Sequence, residues 1–341
     1  MAIMAGFLTF VVAFVLARYA ARSVCWLRIL DHPNDRSLHY RPTPRTGGLA
    51  VLGAGLTGMV LSSLAISDAR SGFGILLPGL IPLVVVSFLD DRHSVSIMWR
   101  LLAHVWASAS LAIAGYAPNS LELTIFAFPV PAWLSVSLTL LFTAWMINLY
   151  NFMDGMDGFA GGMAVIGFTT LAWLGRTDSS FANYCLIVAA ASAGFLIHNF
   201  PPAKIFMGDT GSTALGFLVA ACSLWGSKSG LFPFWVAILV FSPFIVDATA
   251  TLLRRLLRGE RVWEAHRTHY YQRLVLLGWG HRRTVLAEYG LMLACAGSAV
   301  VAVHLPPAGQ WILIVGWIVI YSFLMWGVGR LERRHATVSA P

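Results

Sequence analysis

Long apolar runs dominate the chain, near residues 4–26, 47–67, 72–89, 98–115, 132–149, 158–174, 181–198, 210–227, 232–253, 284–303 and 308–329, with short polar stretches between them. A helix crosses the hydrocarbon of a bilayer with about 20 mostly apolar residues. Strands of a membrane barrel would instead alternate over roughly 10 residues. The runs are about twice that length and apolar on every side, so they predict helices, which satisfy their own backbone in lipid. The expected fold is all-α, a polytopic membrane helix bundle with about eleven transmembrane helices. No internal repeat or low-complexity tract breaks the pattern, so 1–341 reads as one membrane domain. Its polar loops fall near 27–46, 90–97, 150–157, 199–209 and 254–283. The first run has no basic residue before Phe7 and is long for the core of a cleaved leader, which predicts a retained anchor.

Composition agrees with lipid as the solvent. Of 341 residues, 58% are hydrophobic and only 11% charged, against roughly 25% charged in soluble domains. Cys25, Cys185, Cys222 and Cys295 are isolated in or beside apolar runs, which suits packing better than a disulfide or a metal. Lysine and arginine crowd cytoplasmic loops. Assigned to alternating loops, all of the 23 basic residues except Arg70, Arg176 and Lys228 fall on one side. That side is expected to be cytoplasmic, with the N-terminus outside and the C-terminus inside. The net charge of +8 is then mainly a topology signal and does not point to nucleic acid. Its arginines could also attract anionic headgroups or a polyanionic substrate.

The aspartates carry separate information. Asp31, Asp35, Asp90, Asp91, Asp154, Asp157, Asp209 and Asp247 all fall on the expected cytoplasmic side or at that membrane boundary, and only Asp68 and Asp178 fall outside. A carboxylate at membrane depth costs several kcal/mol unless paired, metal-bound or hydrated. Taken singly, each could cap a helix or pair with an arginine. Together, beside many arginines, they suit a hard cation and phosphates, because Mg²⁺ takes one or two carboxylates and fills its shell with phosphate oxygens and water.

Three segments concentrate this signal. Asp90-Asp91-Arg92-His93 ends the third run, and adjacent carboxylates need a cation nearby. In Asn151-Phe152-Met153-Asp154-Gly155-Met156-Asp157-Gly158, glycine lets backbone approach a ligand, and i, i+3 spacing would put Asp157 on the face of Asp154. Asn199 to Ser212 reads as a rigid loop presenting Lys204, Phe206 and Asp209 ahead of the eighth helix. His266 and His269 lie in the longest basic loop, 254–283, whose length suits a folded substrate-binding loop. His104, alone in a span, reads as a packed histidine.

These segments, in this order, resemble the polyprenyl-phosphate N-acetylhexosamine-1-phosphate transferases, the WecA/MraY superfamily. The likeness runs from about Asp31 to Leu274 and includes Thr43-Pro44-Arg45-Thr46-Gly47-Gly48, Asp90-Asp91, the Asn151–Gly158 segment, Phe206-Met207-Gly208-Asp209 and Pro243 with Asp247. It implies transfer of a sugar 1-phosphate from a UDP-sugar to undecaprenyl or another polyprenyl phosphate at a bacterial inner membrane, with release of UMP. It implies Mg²⁺, with Mn²⁺ as an alternative, on Asp209 and Asp91, with Asp90 beside it. Asn199, Phe206 and the Asp154–Asp157 segment, with Asn151, are expected to help hold the uridine. Arg41, Arg45, Lys204, His266 and Arg267 are expected to bind substrate, and Asp90, Asp91, Asp154, Asp157 and His269 form the expected catalytic set. A homodimer is compatible with this reading. The family's His-x-His-His element reads here as His269-Tyr270-Tyr271-Gln272, and Ser94 stands where WecA-type enzymes often carry an aspartate. These departures look more like the WbpL-like, O-antigen-initiating branch, with GlcNAc, FucNAc or QuiNAc as the sugar, than like the MraY branch.

Two other classes compete. A transporter of anionic solutes would place its polar residues at the midplane of broken helices, whereas these gather on one face. A CDP-alcohol phosphotransferase also uses Asp-Gly and Mg²⁺, but Asp157-Gly158 continues as Phe159-Ala160-Gly161 and lacks the longer pattern.

Overall fold

The computed structural model describes residues 2–22, 29–33, 37–65, 69–261 and 266–338. Cys25, Asp35 and Asp68 lie outside them. Within the described residues, every predicted apolar run is mainly helical. The helices are α1 (Ala2–Ala20), α2 (Gly47–Ala65), α3 (Ala69–His93), α4 (Ile97–Ile113), α5 (Ala132–Met153), α6 (Phe159–Leu174), α7 (Ser179–Asn199), α8 (Gly208–Lys228), α9 (Phe234–Val240), α10 (Ser242–Leu257), α11 (Tyr270–Leu274), α12 (Gly280–Ala302) and α13 (Pro307–Val338). Among the described residues, six helices are long and apolar enough to cross a membrane, or seven if α9 and α10 form one broken span. Helices α4 and α6 are apolar but shorter. The chain is therefore an all-α membrane bundle.

Two features differ from the expected pattern. The run at 232–253 is two helices bent by 81°, and Pro243 opens the second of them, where a missing N–H costs nothing. The basic stretch at 254–283 is not one loop. Helix α10 continues to Leu257, α11 begins at Tyr270, and a π-turn over Val275–Trp279 leads into α12. Two small antiparallel pairs complete the fold: β1 (Leu30–Asp31) with β2 (Thr43–Pro44), and β3 (Ser120–Leu123) with β4 (Phe126–Pro129).

The centre of the bundle is α5, α6, α7 and α8, where Tyr150, Phe159, Phe168, Phe195 and Phe217 are fully buried. Helix α13 is mostly exposed along its apolar length, as a lipid-facing helix is. Lipid gives helices no hydrophobic drive to associate, so they meet through small residues and close backbone contact. A methyl group on Gly48 would stand 2.3 Å from the Gly211 nitrogen, where α2 crosses the start of α8, and one on Gly216 would stand 2.6 Å from the Met146 carbonyl of α5. Gly48→Ala should therefore push α2 off α8 at a cost of about 1–3 kcal/mol. Thermal melting of the detergent-solubilised protein should show a lower midpoint, and an unchanged one would mean that the contact relaxes freely.

Candidate active site

The loops at one end of the bundle converge on the start of α8. Asp91, on the last turn of α3, is only 2% exposed. Its Oδ1 accepts a hydrogen bond from the Asp209 N–H at 3.0 Å, and its Oδ2 accepts from the Thr210 N–H at 2.9 Å and the Thr210 hydroxyl at 2.6 Å. A carboxylate here satisfies the free N–H groups of a helix start and faces its positive dipole end. The Arg45 guanidinium stands 3.7 Å from Oδ1 and also donates to the Asp91 carbonyl. Gly208 adopts φ +73° so that the chain can turn into α8; any Cβ there would meet the Arg45 carbonyl at 2.3 Å and Asp91 Oδ2 at 3.0 Å. The loop before α8 is pinned to the 43–48 segment by Phe206 N–H to Pro44, Gly47 N–H to Phe206 and Gly48 N–H to Met207.

A second set of bonds fixes the turn between α5 and α6. Asp157 Oδ2 accepts from the Ala203 N–H at 3.0 Å, and its Oδ1 forms an ion pair with His281 Nδ1 at 3.0 Å. Asn199 is 3% exposed and bridges the same loops: its Oδ1 accepts from the Gly158 N–H and its Nδ2 donates to the Ile205 carbonyl. Asn151 Oδ1 accepts from the Ser212 hydroxyl at 3.0 Å.

These elements wall a cavity of about 240 Å³ lined by Asp31, His39, Arg45, Asp91, Asn151, Asp154, Asp157, Asn199, Phe206, Asp209, Gln272 and His281, among others. Asp154, just past the end of α5, enters it with no hydrogen bond or ion pair to its carboxylate among the described residues. Burial raises the Asp154 pKa well above the usual range, and the charges of Asp209 and Asp91 raise it further. Asp209, ahead of the apolar part of α8, is pushed up to about 7 by burial and then by Asp91 and Asp90, against the lowering effect of Arg45. Buried carboxylates that destabilise one another's charge are what a bound cation relieves. Among the described residues no three histidine, cysteine or acidic side chains form a ready-made metal cage. Asp154 and Asp209 offer hard carboxylate oxygens to the cavity, and Mg²⁺ takes one or two of these and completes its shell with phosphate oxygens and water. The donor set therefore fits Mg²⁺.

Of the residues singled out in the sequence, the structure brings Arg45, Asp91, Asn151, Asp154, Asp157, Asn199, Phe206 and Asp209 to this cavity. Asp90 stands behind Asp209, accepting from the Val95 N–H at 2.6 Å and pairing with Arg100 at 3.2 Å. Arg41 and Lys204 are exposed away from the cavity. His269 is buried against Asp247, with Nδ1 3.3 Å from Oδ1, and Asp247 also accepts the Tyr270 and Tyr271 N–H groups at the start of α11. His266 accepts from Thr268, and burial followed by the charges of His269 and Arg255 lowers its pKa to about 4. Arg267 lines a separate basic cavity with Arg254, Arg258 and Glu332. Sequence reading missed His281, His39 and Gln272. A lone histidine after Gly280, where an apolar run begins, was the available signal for the first.

Comparison with known proteins identifies the family. Residues 73–227 match the model of glycosyl transferase family 4. A Bacillus subtilis protein described as a probable undecaprenyl-phosphate N-acetylglucosaminyl 1-phosphate transferase is 30% identical over 80% of this chain and 76% of its own length. The decaprenyl-phosphate N-acetylglucosaminephosphotransferase of Mycobacterium tuberculosis H37Rv is 28% identical over 86% of this chain and 80% of its own. A phospho-N-acetylmuramoyl-pentapeptide-transferase of Synechococcus elongatus is 28% identical over 75% and 74%. With its cavity of clustered carboxylates at the ends of membrane helices, the chain belongs to glycosyl transferase family 4, the WecA/MraY superfamily.

Proposed function

We propose that this chain transfers an N-acetylamino-sugar 1-phosphate from a UDP-sugar to undecaprenyl or another polyprenyl phosphate in a bacterial inner membrane, releasing UMP. The observation that carries this reading is the meeting of Asp154, Asp209 and Arg45 in one cavity at the helix ends. A water-soluble donor and a lipid-anchored acceptor can both reach such a place. The basic loops around it favour the cytoplasmic side. The named sugars of the first relatives favour an N-acetylglucosamine-type donor. The departures at His269–Gln272 and Ser94 favour a product that initiates an O-antigen or related envelope glycan.

Bound by Asp209, Mg²⁺ would neutralise charge on the donor diphosphate. Asp154 is the better second ligand than Asp91, because the oxygens of Asp91 already accept three hydrogen bonds. Arg45 holds a positive charge at the same wall, and the loops around Asn199 and Asp157 fix the donor's position. An oxygen of the lipid phosphate forms a bond to the sugar-linked phosphorus while the bond from that phosphorus to the UMP oxygen breaks, so UMP leaves with the electron pair. Phosphoryl transfer of this kind needs alignment and charge neutralisation more than covalent help. The acceptor phosphate, with a second pKa near 6, is largely dianionic at neutral pH and needs little activation.

The test is UMP release by purified, detergent-solubilised protein with a panel of UDP-sugars, Mg²⁺ and polyprenyl phosphate. Release that requires both the metal and the lipid is expected. Vesicle uptake of the UDP-sugar without any UMP release would favour a transporter instead. Direct attack also predicts no exchange of labelled UMP into UDP-sugar when lipid is absent. Robust exchange would reveal a covalent sugar-phosphate enzyme, as two-step covalent chemistry requires.

A further inference from the structure

We infer that His281 is a positioning residue for the donor, acting through Asp157 and through the segment that carries His39. The inference rests on the proposed function of the cavity. His281 stands at the start of α12, and its ring lines the cavity. Both of its nitrogens face acceptors: Nδ1 is 3.0 Å from Asp157 Oδ1, and Nε2 is 3.2 Å from the Leu38 carbonyl. Nε2 makes the aligned hydrogen bond to the Leu38 carbonyl, while Nδ1 meets Asp157 as an ion-pair contact outside hydrogen-bond alignment, present when the ring is protonated. One ring thus joins three pieces of chain that are far apart in sequence.

Each piece forms part of the wall. The other oxygen of Asp157 holds the Ala203 N–H at 3.0 Å and so holds the loop that leads to Phe206, while Asp209 beyond it is fixed separately by Asp91. From the same helix, Tyr289 donates to the Gly158 carbonyl at 2.6 Å, so α12 grips the α5–α6 turn at two points. Leu38 precedes His39, whose ring meets the half-buried Phe206 edge-on with centroids 4.8 Å apart. Among the described residues, His39 Nε2 is buried without a hydrogen-bond partner, standing 3.6 Å from the Asp31 carboxylate, beyond hydrogen-bond reach. An aromatic face beside an unsatisfied ring nitrogen suits a flat heterocycle with polar edges, which is the base of a nucleotide. Among the described residues His281 bonds to neither Asp154 nor Asp209, so it sets the base-binding wall and leaves the carboxylates that face the phosphates in place. Its loss should weaken donor binding while sparing acceptor binding and the chemical step.

Steady-state kinetics on the full-length protein in detergent would test this with His281→Ala, His281→Asn and His281→Gln, alongside calorimetric binding of UDP alone. Loosening this wall is read as a tenfold change in affinity, which is about 1.4 kcal/mol. His281→Ala should therefore raise the donor KM and the UDP Kd about tenfold or more. Acceptor KM and kcat should stay within about twofold. The amide variants each keep a donor for one of the two acceptors and should fall between, which keeps the test open if the alanine variant misfolds. Unchanged UDP affinity in all folded variants would overturn the role, as would a fall in kcat at constant donor KM. Wild-type protein that binds UDP but releases no UMP would instead count against the proposed function and leave the His281 comparison readable through UDP binding.

Discussion

Asp209→Asn should lower turnover by about 10²–10³-fold while the protein folds and inserts normally. The magnitude is that of removing one preorganised electrostatic partner from a reaction centre. Asparagine keeps the volume and one oxygen but loses the charge that would hold a divalent cation. The stability expectation has the opposite sign from that of most buried substitutions. Asp209 is half-buried beside Asp90, Asp91 and Asp154, and its charge is opposed by theirs. Without a cation the folded state gains from losing one of these charges. The melting midpoint of the metal-free protein should stay level or rise. UMP release would be measured across a Mg²⁺ titration, with melting curves on the same preparations. Near-normal turnover of the mutant at saturating Mg²⁺ would rule out Asp209 as the metal-binding group.

The contrast between Asp209 and Asp91 shows how far sequence carries the site. Both were legible as carboxylates at the ends of apolar runs, where lipid makes an idle charge expensive. What a run of letters does not hold is the direction of each carboxylate. Asp154 lines the cavity without a partner among the described residues, Asp157 is consumed by Ala203 and His281, and Asp91 is consumed by the start of α8. Asn199, expected to touch the donor, spends its amide tying two loops together. His269 was expected in the catalytic set, but its ring is held by Asp247 and lies outside the carboxylate cavity. His281 escaped notice because a single histidine carries no spacing pattern until the fold brings Asp157 to it from 124 residues away.

The fold was legible to a similar depth and for a related reason. Apolar runs report length in lipid well, and each run became helix. They do not report direction, so the 81° bend between α9 and α10 was hidden inside one run. Nor do they report helix whose one face is charged. Helix α10 carries Arg254 and Arg255 beside the exposed Leu253, Leu256 and Leu257, so its last turns were read as loop. The β3–β4 hairpin was missed because each strand has only four residues, too few for alternation to stand out among neighbouring apolar helices.

Asp91→Ala should reduce both activity and stability, and this pairing separates its role from that of Asp209. Its two oxygens serve two backbone N–H groups and one hydroxyl at the start of α8. Each buried donor left unmade costs about 1–3 kcal/mol, so the folded state should lose about 3 kcal/mol or more. The Asp209 backbone is one of the groups released, and Arg45 loses its ionic partner at 3.7 Å. A carboxylate displaced by even an ångström can lose about 10²-fold in rate, so turnover should fall by that order even though Asp209 itself is intact. Asp91→Asn should be intermediate, because an amide NH₂ would face a donor where a carboxylate oxygen stood. Melting midpoints and UMP-release rates for Asp91→Ala, Asp91→Asn and Asp209→Asn decide the matter on one set of preparations. A direct metal ligand at position 91 would behave as Asp209 does, losing rate and Mg²⁺ affinity at unchanged or raised stability. A coupled loss of stability and rate at Asp91, against loss of rate alone at Asp209, identifies Asp91 as the group that holds α8 in place for the metal site.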